Sequence, residues 1–235
     1  MRARRPRLLV SSLSSQSDSA RTGRSRPSDD REPSTRKPTS DMSNQREFLL
    51  WMDMETTGLE PYVDDVLELA AVLTDTSLNE LGTYESVVAV NRVTALHRMI
   101  SNSAVEKMHR DNGLLDALRS KDLPRLGEVE SEVVELIDRL APNGTVYLAG
   151  SGVSHFDHHV IMAQMPALAS KLHYAAIDVG SPRRMFQMAT GSPLVTANDR
   201  KTHRAMDDVR CHLEDAAAFW ELFRRNAGLT EDGVL

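Results

Sequence analysis

The sequence predicts an α/β fold: one mixed sheet, an antiparallel meander followed by parallel strands, flanked by helices. Three observations carry this. Three β-rich apolar segments follow one another from residue 47 to residue 90 with short connections. Helical and strand patterns then alternate. The chain closes on a long amphipathic stripe, Val209, Leu213, Ala216, Trp220 and Phe223, which steps by 4, 3, 4 and 3 residues. A meander followed by alternating helices and strands is the pattern of a sheet covered by helices.

Residues 47–54, Glu-Phe-Leu-Leu-Trp-Met-Asp-Met, form a dense apolar run that reads as a buried strand, with Thr57-Gly58 as the tight turn after it. Residues 65–75 supply a second strand through Val66, Leu67, Leu69, Ala71, Val72 and Leu73, and Tyr84 to Val90 a third. Ser103 is expected to cap a helix reaching about Asp111, with a further helical piece from Leu114 to Leu118. Val129, Val133, Leu136, Ile137 and Leu140 repeat at helical spacing, and Pro142-Asn143-Gly144 stops that helix. Val146 to Ala149 reads as a short strand, residues 156–164 as a helix, and Ala175 to Val179 as a last strand.

A chain of 235 residues, 40% hydrophobic and 26% charged, suffices for one domain plus a tail. The single cysteine, Cys211, cannot form an intrachain disulfide, so a reducing, cytoplasmic setting is expected. No apolar run reaches membrane-spanning length, and a soluble protein without a membrane partner is expected. The domain is expected over residues 46–228, with a disordered tail over 1–45 and a C-terminal tail over 229–235. The first 45 residues are rich in Ser, Arg, Pro and Thr, and hold ten basic and five acidic residues. The remainder holds 18 basic and 29 acidic residues, a net of −11, so the body is acidic. Arg2, Arg4, Arg5 and Arg7 resemble a mitochondrial transit peptide, but the Asp29-Asp30-Arg31-Glu32 stretch does not. A disordered extension, or an artefact of start-codon choice with the protein beginning at Met42, is the favoured reading.

Four acids and a histidine concentrate the chemistry. Asp53 and Glu55 lie two apart on a strand and leave the same face. Two like charges in an apolar central strand are costly unless a divalent cation neutralises them, and hard oxygen donors select Mg²⁺ or Mn²⁺. Alone, an Asp-x-Glu facing water in a loop would be the commoner explanation. Asp157 follows Ser154 in a capping-box-like spacing, so it can serve as a helix cap, a ligand, or both. His203 and Asp208 are five apart, about 500° around a helix, so they do not share a helical face. Asp208 is expected at the start of the C-terminal helix and His203 on the loop before it, where a histidine could act as a general base or simply face solvent. Carboxylates spread over three segments with one histidine suit a two-metal phosphodiester hydrolase. A zinc or iron site around His155, His158 and His159 is a weaker alternative, since adjacent helical histidines diverge by about 100°.

Together these strings resemble a known family. Asp53-x-Glu55 with Thr57-Gly58-Leu59, then His155-Phe156-Asp157, then Thr202-His203-Arg204-Ala205-Met206-Asp207-Asp208 match in order the three motifs of the DEDDh 3′-to-5′ exonucleases, and the last string is most similar to the oligoribonuclease branch. The resemblance implies an RNase H-like fold and two Mg²⁺ or Mn²⁺ ions held by Asp53, Glu55, Asp157 and Asp208, with His203 as general base. It further implies that Thr56, Thr57, Gly58, Leu59, His109 and Tyr174 bind substrate, Leu59 as a wedge between the last two bases. Single-stranded RNA oligonucleotides would be shortened to nucleoside 5′-monophosphates, by a homodimer.

Departures from the branch bear on the substrate. Ala104 stands where oligoribonucleases carry tryptophan, Val153 where they carry a serine that caps the substrate phosphate, and Ala175 and Gly180 where they carry arginine and serine. Tyr174 is kept. The catalytic set is whole, whereas strict dinucleotide preference is not implied. A proofreading-type DNA exonuclease, a non-catalytic nucleic-acid-binding protein on the same fold, and a histidine-based metallophosphatase are the competing readings.

Overall fold

The structure, a computed structural model, describes residues 46–100, 103–195, 202–230 and 233–234. The expected tail over residues 1–45, with its transit-peptide-like arginines, lies outside the described residues.

In chain order the elements are β1 (Glu47–Thr56), β2 (Val66–Asp75) and β3 (Glu80–Val87), followed by helices α1 (Arg92–Ile100), α2 (Ser103–Asp111), α3 (Leu114–Ala117) and α4 (Leu126–Leu140). Then come β4 (Thr145–Gly150), α5 (Asp157–Gln164), α6 (Pro166–Ala169), β5 (Ile177–Asp178), α7 (Gly180–Thr190) and α8 (Ala205–Asn226), and a ladder of β6 (Leu229–Thr230) with β7 (Gly233–Val234). The main sheet runs in the order β3-β2-β1-β4-β5. β1 is antiparallel to β2, with Trp51 opposite Val72, and parallel to β4, with Leu50 opposite Leu148. The expected mixed sheet is therefore present. The residues expected as a C-terminal tail carry the β6–β7 pair.

β1 sits at the centre and buries both faces, which is why it reads as a continuous apolar run rather than an alternating one. Phe48, Leu50, Met52 and Met54 face one core, built with Val133 and Ile137 of α4, Ile161 of α5 and Leu168 of α6. Leu49 and Trp51 face a second core, built with Val209 and Ala216 of α8. The buried Trp51 indole N–H is satisfied, donating to Thr74 Oγ1 at 3.1 Å. Alternation carried two and four residues past Trp51 puts Asp53 and Glu55 on the α8 side. A third cluster packs α1, α2 and α3 around Leu67, through Ala95, Met99 and Leu114. No described helix is long and apolar enough to cross a membrane.

Several expectations shift. The third strand occupies Glu80–Val87 rather than 84–90. Ala89 turns its N–H to Pro124 O, so the chain has left the sheet by then. α1, α6 and α7 were not expected. The 175–179 strand shrinks to two residues. The Ser154 capping box does not form: α5 starts at Asp157 behind Phe156, with no side-chain cap.

Candidate active site

β1 outruns its parallel neighbour. The β4 ladder ends with Trp51 opposite Ala149, and Gly150 then approaches β1 so closely that a Cβ there would lie 2.9 Å from Met52 O and 2.5 Å from Val153 Cγ1. From Asp53 onward β1 is paired with β2 alone. The backbone exposed by this split is used by α5, whose first residue, Asp157, accepts a hydrogen bond from the Met54 N–H. The first turn of α8 arrives on the other face and brings Asp208, with His203 on the loop just before it.

Side-chain donor atoms of Glu55, His203 and Asp208 lie within 4.8 Å of one another. Glu55, Asp157 and Asp208 are all buried, whereas His203 is exposed. Burial, then the charges of Asp208, Glu68 and Asp157, push Glu55 up to about 8, with Arg204 opposing. Asp157 is raised to about 7, again chiefly by burial. Hydrogen bonds from its own N–H and that of Met54 work against the rise, and Asp178 adds to it. A buried cluster of hard oxygen donors with one imidazole fits a divalent cation. Glu55 and Asp208 would hold it, while Asp53 and Asp157 are not in that group and the Asp157 charge reaches Glu55. Asp53 is half-buried on the same strand face as Glu55. Among the described residues, no three-ligand group includes His155, His158 or His159.

The segment after β1 is a pinned turn. Thr56 Oγ1 donates to Gly58 O at 2.6 Å, and Thr57 Oγ1 donates to Asp64 Oδ1 at 2.7 Å. A Cβ at Gly58 would fall 2.5 Å from the Asp64 carboxylate, so any larger residue there would have to displace that side chain. Gln164 of α5 donates to Pro61 O and Asp64 O, at 2.7 and 2.9 Å. On this fixed base Leu59 projects, 71% exposed. Thr57 is buried and its hydroxyl is committed to the turn, donating to Asp64 Oδ1 and accepting from the Asp65 N–H. His109 is fully buried: Nε2 lies 2.9 Å from Thr56 O and Nδ1 3.8 Å from Glu55 Oε2. Burial lowers its pKa, so a neutral ring donates from Nε2 to the Thr56 carbonyl. It supports the end of β1 from behind.

Tyr174 is not brought to this cluster. Its ring packs at a tilt against His173, centroids 4.3 Å apart, and His173 likewise against Tyr147 at 4.6 Å. Tyr147 pairs with Leu49, near the start of β1, about six strand residues or roughly 20 Å from Glu55.

Residues outside the expected set also shape the site. Glu68 sits opposite Glu55 in the β1–β2 ladder and is buried. A glutamate inside Val66-Leu67-Glu68-Leu69 carries the same signal as Asp53 and Glu55, a charge within an apolar strand. Arg204 meets it through Nε at 3.0 Å from both carboxylate oxygens and Nη2 at 2.5 Å from Oε1. Asp178 takes the Gly152 and Gly180 N–H groups on Oδ1, and its charge reaches Asp157.

An RNase H-like sheet with buried carboxylates gathered where its central strand outruns its neighbour defines a class of nuclease. The chain belongs to the exonuclease family, whose model matches residues 50–214. It is 28% identical over 184 residues to an oligoribonuclease of Haemophilus influenzae, covering 78% of this chain and 99% of that one. An oligoribonuclease of Actinobacillus pleuropneumoniae is 30% identical over 176 residues, covering 75% and 92%. Among solved structures, exonuclease I of Methylocaldum szegediense superposes with a TM-score of 0.54 at 17% identity, over 74% of this chain and 40% of that one. Exonuclease I of E. coli in complex with a dT13 oligonucleotide gives 0.52 at 14% identity, over 77% and 42%. The chain thus spans about two fifths of the length of these exonucleases, and at such identity the likeness is one of fold.

Proposed function

We propose that the protein is a divalent-cation-dependent 3′-to-5′ exoribonuclease that shortens single-stranded oligoribonucleotides to nucleoside 5′-monophosphates, with residues 46–228 as the catalytic unit. The observation that carries this reading is the convergence of buried Glu55 and Asp208 with exposed His203, beside Asp157. When bound, two Mg²⁺ or Mn²⁺ ions would neutralise charge on the scissile phosphodiester and make water more acidic. Asp53, Glu55, Asp157 and Asp208 would hold them. His203, the exposed member, takes the proton of the attacking water. The Thr56–Leu59 backbone receives the 3′-terminal nucleotide, with Leu59 against its base. The oligoribonuclease relatives favour RNA, and the lone Cys211 fits a reducing, cytoplasmic setting.

The distance of Tyr174 from the cluster gives the expected homodimer a role. A Tyr174 that touches substrate bound at this cluster would come from a second copy of the chain. Incubating the purified protein with 5′-labelled oligoribonucleotides and Mg²⁺ or Mn²⁺ should give a ladder growing from the 3′ end, abolished by Asp157→Ala. No cleavage with either metal overturns the proposal. DNA oligomers degraded faster than RNA of the same sequence would replace exoribonuclease with DNA exonuclease.

A further inference from the structure

His203 is the one member of the cluster held by a loop, and its backbone is not relaxed. Its φ is +53°, a left-handed conformation that costs a residue with a Cβ and persists only where neighbours over-determine it. Two sets of neighbours do so. On one side, Asn112, just after α2, donates from Nδ2 to His203 O. Its Oδ1 accepts from Leu114 N at 3.0 Å, fixing the amide against α3. On the other side Arg204 is gripped by Glu68 of β2 in a forked pair, and Glu68 Oε2 also accepts the Ala205 N–H at 3.1 Å. The residue after His203 and the first residue of α8 are thus tied to one carboxylate, whose side chain is 9% exposed.

We propose that Glu68, Arg204 and Asn112 form a clamp that aims the His203 imidazole at the cluster, as positioning residues that touch neither substrate nor cation. This rests on the reading of His203 as the base of the proposed exonuclease. The geometry separates the clamp from simple stabilisation. Glu68 could have been paired by any cation, but a planar guanidinium bonded through Nε and Nη2 fixes the direction of the chain at 204, which a lysine ammonium cannot do. Asn112 likewise acts on the His203 carbonyl and not on the helix ladder.

The experiment is a set of double-mutant cycles on the full chain. Arg204→Lys keeps the charge and loses the fork. Asn112→Asp keeps an acceptor for Leu114 N and loses the donor to His203 O. Each should lower kcat about tenfold or more with KM changed less than about twofold, as a displaced catalytic group does. In a His203→Ala background each should change the residual rate by less than about twofold, because residues acting through one side chain are not additive. Equal losses in both backgrounds would overturn the clamp. Imidazole NMR signals give a readout independent of turnover: in Arg204→Lys and Asn112→Asp the His203 ring signals should shift or broaden while those of His109 stay. Unmoved His203 signals overturn the clamp even if the wild type proves inactive, and an inactive wild type with moved His203 signals removes the exonuclease reading alone.

Discussion

Glu55 at about 8 and Asp157 at about 7 would make the proposed cation site a proton-linked one. In the metal-free protein these groups bind protons more tightly folded than unfolded, so the folded state holds extra protons between about pH 4.5 and 8. Stability from this source is therefore full below the ordinary carboxylate range and is lost as pH rises through 7 and 8. A divalent cation reverses the balance, since it needs the carboxylates ionised and relieves their repulsion. Mn²⁺ should accordingly bind more tightly at pH 8 than at pH 6, releasing protons as it does. It should also raise Tm more at the higher pH. Calorimetry in buffers of different ionisation enthalpy and a thermal melt at each pH check this. Affinity independent of pH would mean that Glu55 and Asp157 are not displaced protons at the site. Removing one acid tests the same balance: Glu55→Gln should weaken Mn²⁺ binding and flatten its pH dependence.

Elements were legible where one physical signal dominated, and illegible where contacts made them. β1 and β2 announced themselves because burial on both faces demands unbroken apolar runs, and α8 because its single buried stripe is long. The loop placement of His203 followed from a five-residue spacing that no helix face accommodates. α1 escaped because only Ala95 and Met99 are buried, too short a stripe to read, although Asn91 caps it by accepting the Val93 and Thr94 N–H groups. α7 begins at Gly180 and is mostly exposed; its signals were Pro182 in the first turn and Gly191 at the left-handed end. At the site, Asp53-x-Glu55 was readable from strand parity, but the Glu68–Arg204 pair spans 136 residues and required the fold. Tyr174 shows the converse, a motif residue that one chain does not deliver to the cluster. The close approach where β1 and β4 part falls at Gly150, a position that no motif in the sequence singles out. Gly150→Ala would press a methyl into Met52 O and Val153, so a loss of about 1–3 kcal/mol is expected, read as a fall in Tm of roughly 3–10 °C. Activity should fall further than stability, because the same shift moves the β1 end that carries Glu55. An unchanged melt with unchanged kcat would mean that the close approach is not required.

On the scale of the whole molecule, an acidic body has to attract a polyanion. With a net charge of −11 outside the first 45 residues, long-range attraction is lacking, and phosphate affinity must come from bound cations and a few local donors. The structure narrows those donors further. Val153, at the position of a phosphate-capping serine in the oligoribonuclease branch, is fully buried in the core and cannot touch a ligand. Gly180 offers no side-chain donor, and its N–H is already taken by Asp178 Oδ1 at 2.9 Å. Selection for dinucleotides needs a group that binds the substrate's far phosphate and is left unpaired by longer chains. One charge-assisted hydrogen bond of that kind is worth roughly 1.5–3 kcal/mol, about 10- to 100-fold in kcat/KM. With neither Val153 nor Gly180 offering a side-chain donor, rates on a graded RNA series from the dinucleotide upward should differ by less than about tenfold, all lost on chelation. A dinucleotide preference above about 100-fold would overturn this. It would require a phosphate donor elsewhere, and a second copy of the chain presenting its exposed Tyr174 surface is where the geometry would then direct the search.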